Sequence, residues 1–237
     1  MTIAIGFSTG ALFRDQLALG VEASRTLGLR SVELSALRYR ELAGLIAFAE
    51  ANDLSDFLHV SVHAPTDFTP DMEESVISSL RPLATERHWF VVVHPDCMTR
   101  DDLWSQLGDR LCVENMDKRK PVGRTLEELR SLFTRFPDAG FCFDIGHAHQ
   151  VDPSMTEACR ILREFAYRIC QLHVSEVTSS SKHDRLSKGV LKAFREVADL
   201  LPVNAPAILE TPVDVEEARE EVRKVETLLQ ARTHAFA

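Results

Sequence analysis

The sequence predicts an α/β fold, a single-domain (β/α)8 TIM barrel over residues 1–237. Three observations predict it. Short runs rich in β-branched and aromatic residues alternate with longer helical stretches, about eight such pairs occur, and most runs end on His, Glu or Asp. A closed barrel gathers the C-terminal ends of its strands around one mouth, whereas an open doubly wound sheet, the main rival, would string the same residues across a plane. The chemistry at the strand ends therefore favours closure.

The elements follow in order. Ile3 to Phe7 opens the series and precedes a helical stretch from Phe13 to Leu27; Ser31 to Leu34 precedes one from Tyr39 to Asn52. Leu58 to His63 (LHVSVH) stops just before Pro65 and leads to Met72 to Glu86, and Trp89 to His94 (WFVVVH) stops at Pro95. Leu111 to Glu114 (LCVE) stops at Asn115 and is followed by the helical Thr125 to Phe136. Phe141 to Asp144 (FCFD) starts after Gly140 and precedes Thr156 to Tyr167. Ile169 to His173 (ICQLH) and Ala207 to Glu210 (AILE) complete the strands, with helices over Val190 to Leu200 and Val215 to Leu229. Pro, Gly, Asn and Asp at the edges are what bounds buried strands.

Composition fits one compact domain. The chain has 45% hydrophobic residues and no apolar run approaching a membrane span, so it needs no bilayer. Its start, MTIAIGFSTG, lacks the basic and apolar regions of a secretory signal. Cys97, Cys112, Cys142, Cys159 and Cys170 are odd in number, form no CxxC pair and read as reduced core residues, which suits a cytoplasmic location. The net charge of −9 weighs against nucleic acid, because a protein that grips phosphates usually shows a basic face. A small-molecule substrate is the expected partner; homo-oligomerisation is left open by the sequence.

His63, His94, Glu114, Asp144, His173 and Glu210 stand at matching strand ends. Acids and imidazoles crowded into one mouth are costly without a cation to neutralise the carboxylates, so the pattern predicts a divalent metal, one to three ions of Zn, Mn, Mg, Co or Fe. His147, three residues after Asp144 in FDIGHAHQ, would be aimed inward by a turn at Gly146, and His183 would reach over the mouth from the loop after the seventh strand. His149 reads as a surface or outer residue, His59 and His88 as structural, and His234 as part of the tail. Lys118 to Lys120 with Arg124 form a basic cluster near the mouth, suited to an anionic group on a small substrate. Trp104 and Phe68 are candidates to floor a sugar pocket.

The phrases SVHAP, VVVHPD, CVENMD, FCFDIGHAH, LHVSE, KHDRLSKG and ILETP, spread over residues 58–212, resemble the successive motifs of the xylose isomerase-like TIM barrel superfamily. That superfamily includes sugar phosphate isomerases/epimerases and endonuclease IV. The resemblance to the isomerase branch implies one divalent metal held by Glu114, Asp144, His173 and Glu210, with Glu114 and Glu210 exchanging protons with a small sugar, sugar phosphate or related hydroxy-carbonyl compound. It also implies that Glu33, facing the mouth, supports a ligand or touches substrate, with Glu176 a weaker candidate.

The resemblance to the endonuclease branch implies a multinuclear zinc phosphodiesterase using His63, His94, Glu114, Asp144, His147, His173, His183 and Glu210. One further ligand, an Asp, falls on Ser181 here. Short connections and acidic or neutral rims after His63 and Asp144 speak against DNA. A third alternative is a barrel that binds metal without turnover.

Overall fold

The structure, a computed structural model, describes residues 3–230. Its strands are β1 (Ile5–Ser8), β2 (Ser31–Ser35), β3 (His59–His63), β4 (Phe90–Val93), β5 (Leu111–Glu114), β6 (Gly140–Asp144), β7 (Ile169–Val174), β8 (Glu176–Val177), β9 (His183–Asp184) and β10 (Ala207–Leu209). The helices are α1 (Thr9–Leu12), α2 (Leu17–Thr26), α3 (Tyr39–Ala51), α4 (Glu73–Thr85), α5 (Asp101–Trp104), α6 (Leu126–Arg135), α7 (Ile145–Val151), α8 (Thr156–Phe165), α9 (Lys188–Arg195) and α10 (Val215–Gln230). Strands β1 to β7 and β10 close a parallel barrel, with β10 hydrogen-bonded to both β7 and β1. The expected (β/α)8 architecture is therefore present. The two short strands β8 and β9 make a separate antiparallel ribbon on the loop after β7.

Strand alternation divides the residues into two sets. Val91, Val93, Val113, Phe141, Phe143 and Leu172 join the large core between sheet and helices. Val92, Cys112 and Cys142, flanked by Phe90 and Cys170, form a small separate cluster in the barrel interior. Above this plug the inward positions are polar. Helix faces match the sheet: α6 buries Leu126, Leu129, Leu132 and Phe133, and begins with a capping box in which Thr125 accepts from the Glu128 N–H while Glu128 accepts from the Thr125 N–H. At Gly6, a Cβ would stand 1.9 Å from the Ser31 carbonyl oxygen, so β1 and β2 meet in their register only because that position has no side chain.

Several boundaries depart from the sequence reading. The expected helix over Phe13 to Leu27 is broken, because Asp15 takes a left-handed φ of 62° and α2 begins only at Leu17. The stretch Val190 to Leu200 divides into α9 and a 3-10 turn over Ala198–Leu200. The sulfurs of Cys112 and Cys170 meet inside the barrel while their Cα atoms stand 7.2 Å apart, wider than a relaxed disulfide spans. Cys97, Cys142 and Cys159 are free. His234 lies outside the described residues, and no helix among those described is long and apolar enough to cross a membrane.

Candidate metal centre

Eight of the predicted residues converge at the C-terminal mouth. Among the described residues they form three overlapping groups able to hold a cation: His63, His94 and Glu114; Asp144, His147 and His183; and Glu114, Asp144, His173 and Glu210. Within each group the donor atoms lie within 4.8 Å of one another. Glu114 joins the first group to the third. Its Oε2 faces His63 Nε2 and His94 Nε2, each at 3.3 Å, while its Oε1 faces His173 Nδ1 at 3.2 Å and His147 Nδ1 at 3.3 Å.

Local structure aims these side chains. Asp144 ends β6 and caps α7, its Oδ1 accepting the His147 N–H at 2.6 Å, so the strand end and the helix start present Asp144 and His147 together. The short helix replaces the turn expected over FDIGHAHQ. Gly146 allows it, because a Cβ there would approach the Ser175 carbonyl oxygen to 2.4 Å. His63 is fixed by a hydrogen bond from Nδ1 to the Ala64 carbonyl at 2.8 Å, and His183 Nδ1 shares a hydrogen bond with Ser175 Oγ at 2.7 Å.

The electrostatics are those of buried acids and imidazoles acting on one another. Burial raises Asp144 to about 7 and pushes Glu210 up, with Glu114 adding repulsion in both cases. Burial would raise Glu114 too, but His173, His147 and His63 outweigh it and hold the carboxyl well below its ordinary value. Burial opposes charge on the imidazoles, yet the surrounding carboxylates lift His63 to about 9, His147 to about 10 and His173 well above its usual range. Burial prevails at His94 and His183, which fall to about 4 and stay neutral, the form that ligates a metal. Three buried atoms at the centre, His94 Nδ1, Asp144 Oδ2 and Glu210 Oε2, have no hydrogen-bond partner among the described residues. Buried acceptors are normally satisfied, so these residues fit a divalent cation.

Other predicted residues lie elsewhere. Glu33 does not face the mouth. It is fully buried one layer below, where its Oε2 accepts from Gln171 Nε2 at 2.7 Å and from Ser61 Oγ at 3.1 Å and lies 3.1 Å from His173 Nε2, so of its two expected roles, supporting a ligand or touching substrate, these contacts fit the first. Arg124 is turned to Glu128 at 2.7 Å, Lys120 to Asp96 at 2.7 Å and Arg119 to Asp117 at 3.0 Å. Lys118 stands exposed, its backbone N–H bonded to Gln150 at 3.0 Å, and has no carboxylate partner among the described residues. Trp104 is wholly buried, donates to Glu73 at 2.9 Å and packs near Phe68, a place in the core. Glu176 accepts the Ser187 N–H at 2.9 Å.

Two residues that brace the cluster were not singled out in the sequence. Asn115 clamps β6 with a pair of 2.8 Å hydrogen bonds to the Asp144 backbone and offers its own carbonyl to His147 Nδ1 at 2.9 Å. Asp117, buried and held at about 2 against the opposing effect of burial by Arg119, accepts from Ser181 Oγ at 3.1 Å. Their signal was the polar run ENMD directly after a strand end.

A family model described as xylose isomerase-like TIM barrel matches residues 36–228. Among curated proteins no relative is found. Solved structures give several similar chains. A xylose isomerase domain protein from Alicyclobacillus acidocaldarius aligns at a TM-score of 0.65 with 16% identity, covering 97% of this chain and 100% of that one. The 3-keto-D-glucoside 4-epimerase of E. coli aligns at 0.56 with 13% identity over 97% and 100%. A xylose isomerase-like TIM barrel protein from Mycobacterium smegmatis, in complex with magnesium, aligns at 0.54 with 13% identity over 90% and 89%. At these identities the likeness concerns the fold.

Proposed function

We propose, for a chain that belongs to the xylose isomerase-like TIM barrel family, that the mouth is the active site of a divalent-metal-dependent isomerase or epimerase. Its substrate class is a small sugar, sugar phosphate or related hydroxy-carbonyl compound. One observation carries the reading: Glu114, Asp144, His173 and Glu210 converge on one point, and Glu210 Oε2 there is buried, without a hydrogen bond among the described residues and raised in proton affinity. A bound divalent cation would polarise the carbonyl and hydroxyl oxygens of the substrate and so acidify the adjacent C–H.

The two glutamates are unequal. Glu114 is 1% exposed, with an imidazole nitrogen pair at each carboxylate oxygen, so it serves as an anchor. The Glu210 side chain, 15% exposed, borders a cavity of about 770 Å³ with His183, and is placed to take a proton from one carbon and return it to the next. A single carboxylate suffices for a 1,2-proton transfer, whereas inversion at one carbon with two bases requires a group on each face; the arrangement favours the first. In deuterated water with metal, a panel of sugars and sugar phosphates should yield at least one substrate that gains deuterium beside its carbonyl, and Glu210→Gln should abolish the exchange. No exchange across the panel sinks the proposal.

A second reading is metal-dependent phosphoester hydrolysis. The division of the Glu114 oxygens between two imidazole pairs favours it, since the pair His63 and His94 on one side and the pair His147 and His173 on the other would each hold a cation that activates water. Incubation of metal-loaded protein with DNA carrying an abasic site, at low salt, tests it; an intact strand removes it.

A further inference from the structure

The opposite end of the barrel holds a second cavity, of about 520 Å³, whose walls include Phe57, His59, Arg87, Trp89, Phe90 and Arg110. That volume is in the range of small-molecule sites, while the wall is more polar than most of them, with two guanidinium groups and an imidazole set beside the aromatic rings. The Arg110 guanidinium lies 5.0 Å over the Phe90 ring and the Arg87 guanidinium 5.7 Å over Trp89. Arg110 touches a carboxylate only through Nε, 3.5 Å from its neighbour Asp109, so its two terminal amino groups find no acceptor among the described residues. A planar cationic fork beside aromatic faces matches a carboxylate joined to a flat ring. The acids at the rim, Asp53 and Glu86, stand exposed at its edge, with Asp53 turned to the Ser55 N–H at 2.9 Å.

His59 connects this cavity to the mouth. Its Nε2 is 2.9 Å from Gln171 Oε1, and the amide nitrogen of the same Gln171 is 2.7 Å from Glu33 Oε2 and 2.9 Å from His173 Nε2. One amide therefore separates an imidazole in the floor cavity from an imidazole of the candidate metal centre. The Glu33 carboxylate fixes the amide nitrogen on its side, which leaves the amide oxygen toward His59.

We propose that the floor cavity is a second small-molecule site, taking an aromatic carboxylate whose carboxyl group pairs with the free amino groups of Arg110 and whose ring lies against Trp89, and that His59 and Gln171 relay its occupancy to His173. The relay rests on His173 being a metal ligand; the binding does not. Benzoate is the probe, titrated into metal-loaded protein and followed by Trp89 fluorescence. The other tryptophan, Trp104, is fully buried and bonded to Glu73, so Trp89→Phe supplies the blank.

Benzoate should give a saturable change that inorganic phosphate does not, weakened roughly tenfold in Arg110→Gln. Zinc affinity, measured by competition with a chromophoric chelator, should shift at least about threefold when benzoate saturates, and the shift should vanish in His59→Phe while benzoate still binds. No saturable change, an equal response to phosphate, or unaltered binding by Arg110→Gln overturns the site. Benzoate binding that leaves zinc affinity unchanged overturns the relay. Protein that takes up no metal sinks the metal reading alone, because the fluorescence titration still decides the cavity.

Discussion

Glu33→Gln keeps the shape of a side chain at the heart of the barrel and removes its charge. Glu33 Oε2 has three polar neighbours, at 2.7, 3.1 and 3.1 Å, one of them His173 Nε2. That contact turns Nδ1 of the same ring toward Glu114 at 3.2 Å and Glu210 at 3.4 Å. Losing a carboxylate partner behind a metal-bound imidazole typically costs about 10–100-fold in metal affinity, or about 1.4–2.7 kcal/mol. The fold should survive, because glutamine keeps the shape of the side chain and an oxygen that can still accept from Gln171 or Ser61.

Acid stability gives a second reading of the same change. Burial alone would raise Glu33, but His173 and His63 bring it to about 2 against a reference of 4.5. A depressed carboxyl contributes stability above its unfolded value, and that contribution is lost as pH falls from 4.5 toward 2. Metal-free wild type should therefore lose stability over that interval, and the variant should lose less. Chelator competition for zinc and thermal melts followed by circular dichroism measure both effects. Zinc affinity within about threefold of wild type in a folded variant would refute the reasoning.

Metal-free protein should melt at lower temperature as pH rises through 9 and 10, because His63 and His147, raised above their reference of 6.5, contribute stability that is present below 6.5 and lost as they deprotonate. Metal-loaded protein should not follow that trend, and potentiometric titration should record protons released on metal uptake. His94→Ala removes one donor of the first group and leaves Glu114, Asp144, His173 and Glu210 intact, so elemental analysis should show zinc per chain falling without reaching zero. Gly146→Ala drives a Cβ to 2.4 Å from the Ser175 carbonyl and should cost about 1–3 kcal/mol in denaturant unfolding, with weaker zinc binding as Asp144 and His147 shift together.

The strands were legible because each is a short apolar run between sharp punctuation, and their ends were legible because His, Glu and Asp are conspicuous there. Depth was not. Glu33 looked like a rim residue, yet it pairs in register with Ser61, while Ser35 is the residue that pairs with His63. Two residues of register separate a ligand layer from the layer beneath it, and no run of sequence states that offset. Helix α7 was hidden for a related reason: its start depends on Asp144 acting as strand end and cap at once, which a polar heptapeptide does not advertise. The Cys112 to Cys170 contact skips β6, lying between β5 and β7, and could be read only once the barrel was closed.

Donor chemistry then ranks the three groups. The central one offers three carboxylates and one imidazole, a set that accepts hard cations such as magnesium or manganese, while each outer group offers two imidazoles and one carboxylate, a set that suits zinc, iron or cobalt. The carboxylates are not independent: Glu114 belongs to the first and central groups and Asp144 to the central and the other outer one. A cation at the centre draws on both, and leaves each outer group to bind largely through nitrogen. Magnesium should therefore fill the central group alone, whereas zinc should load beyond one ion per chain. Protein dialysed against each metal in turn and assayed for metal content decides this, and equal loading by both would mean that the outer groups gain their affinity from something other than their imidazoles.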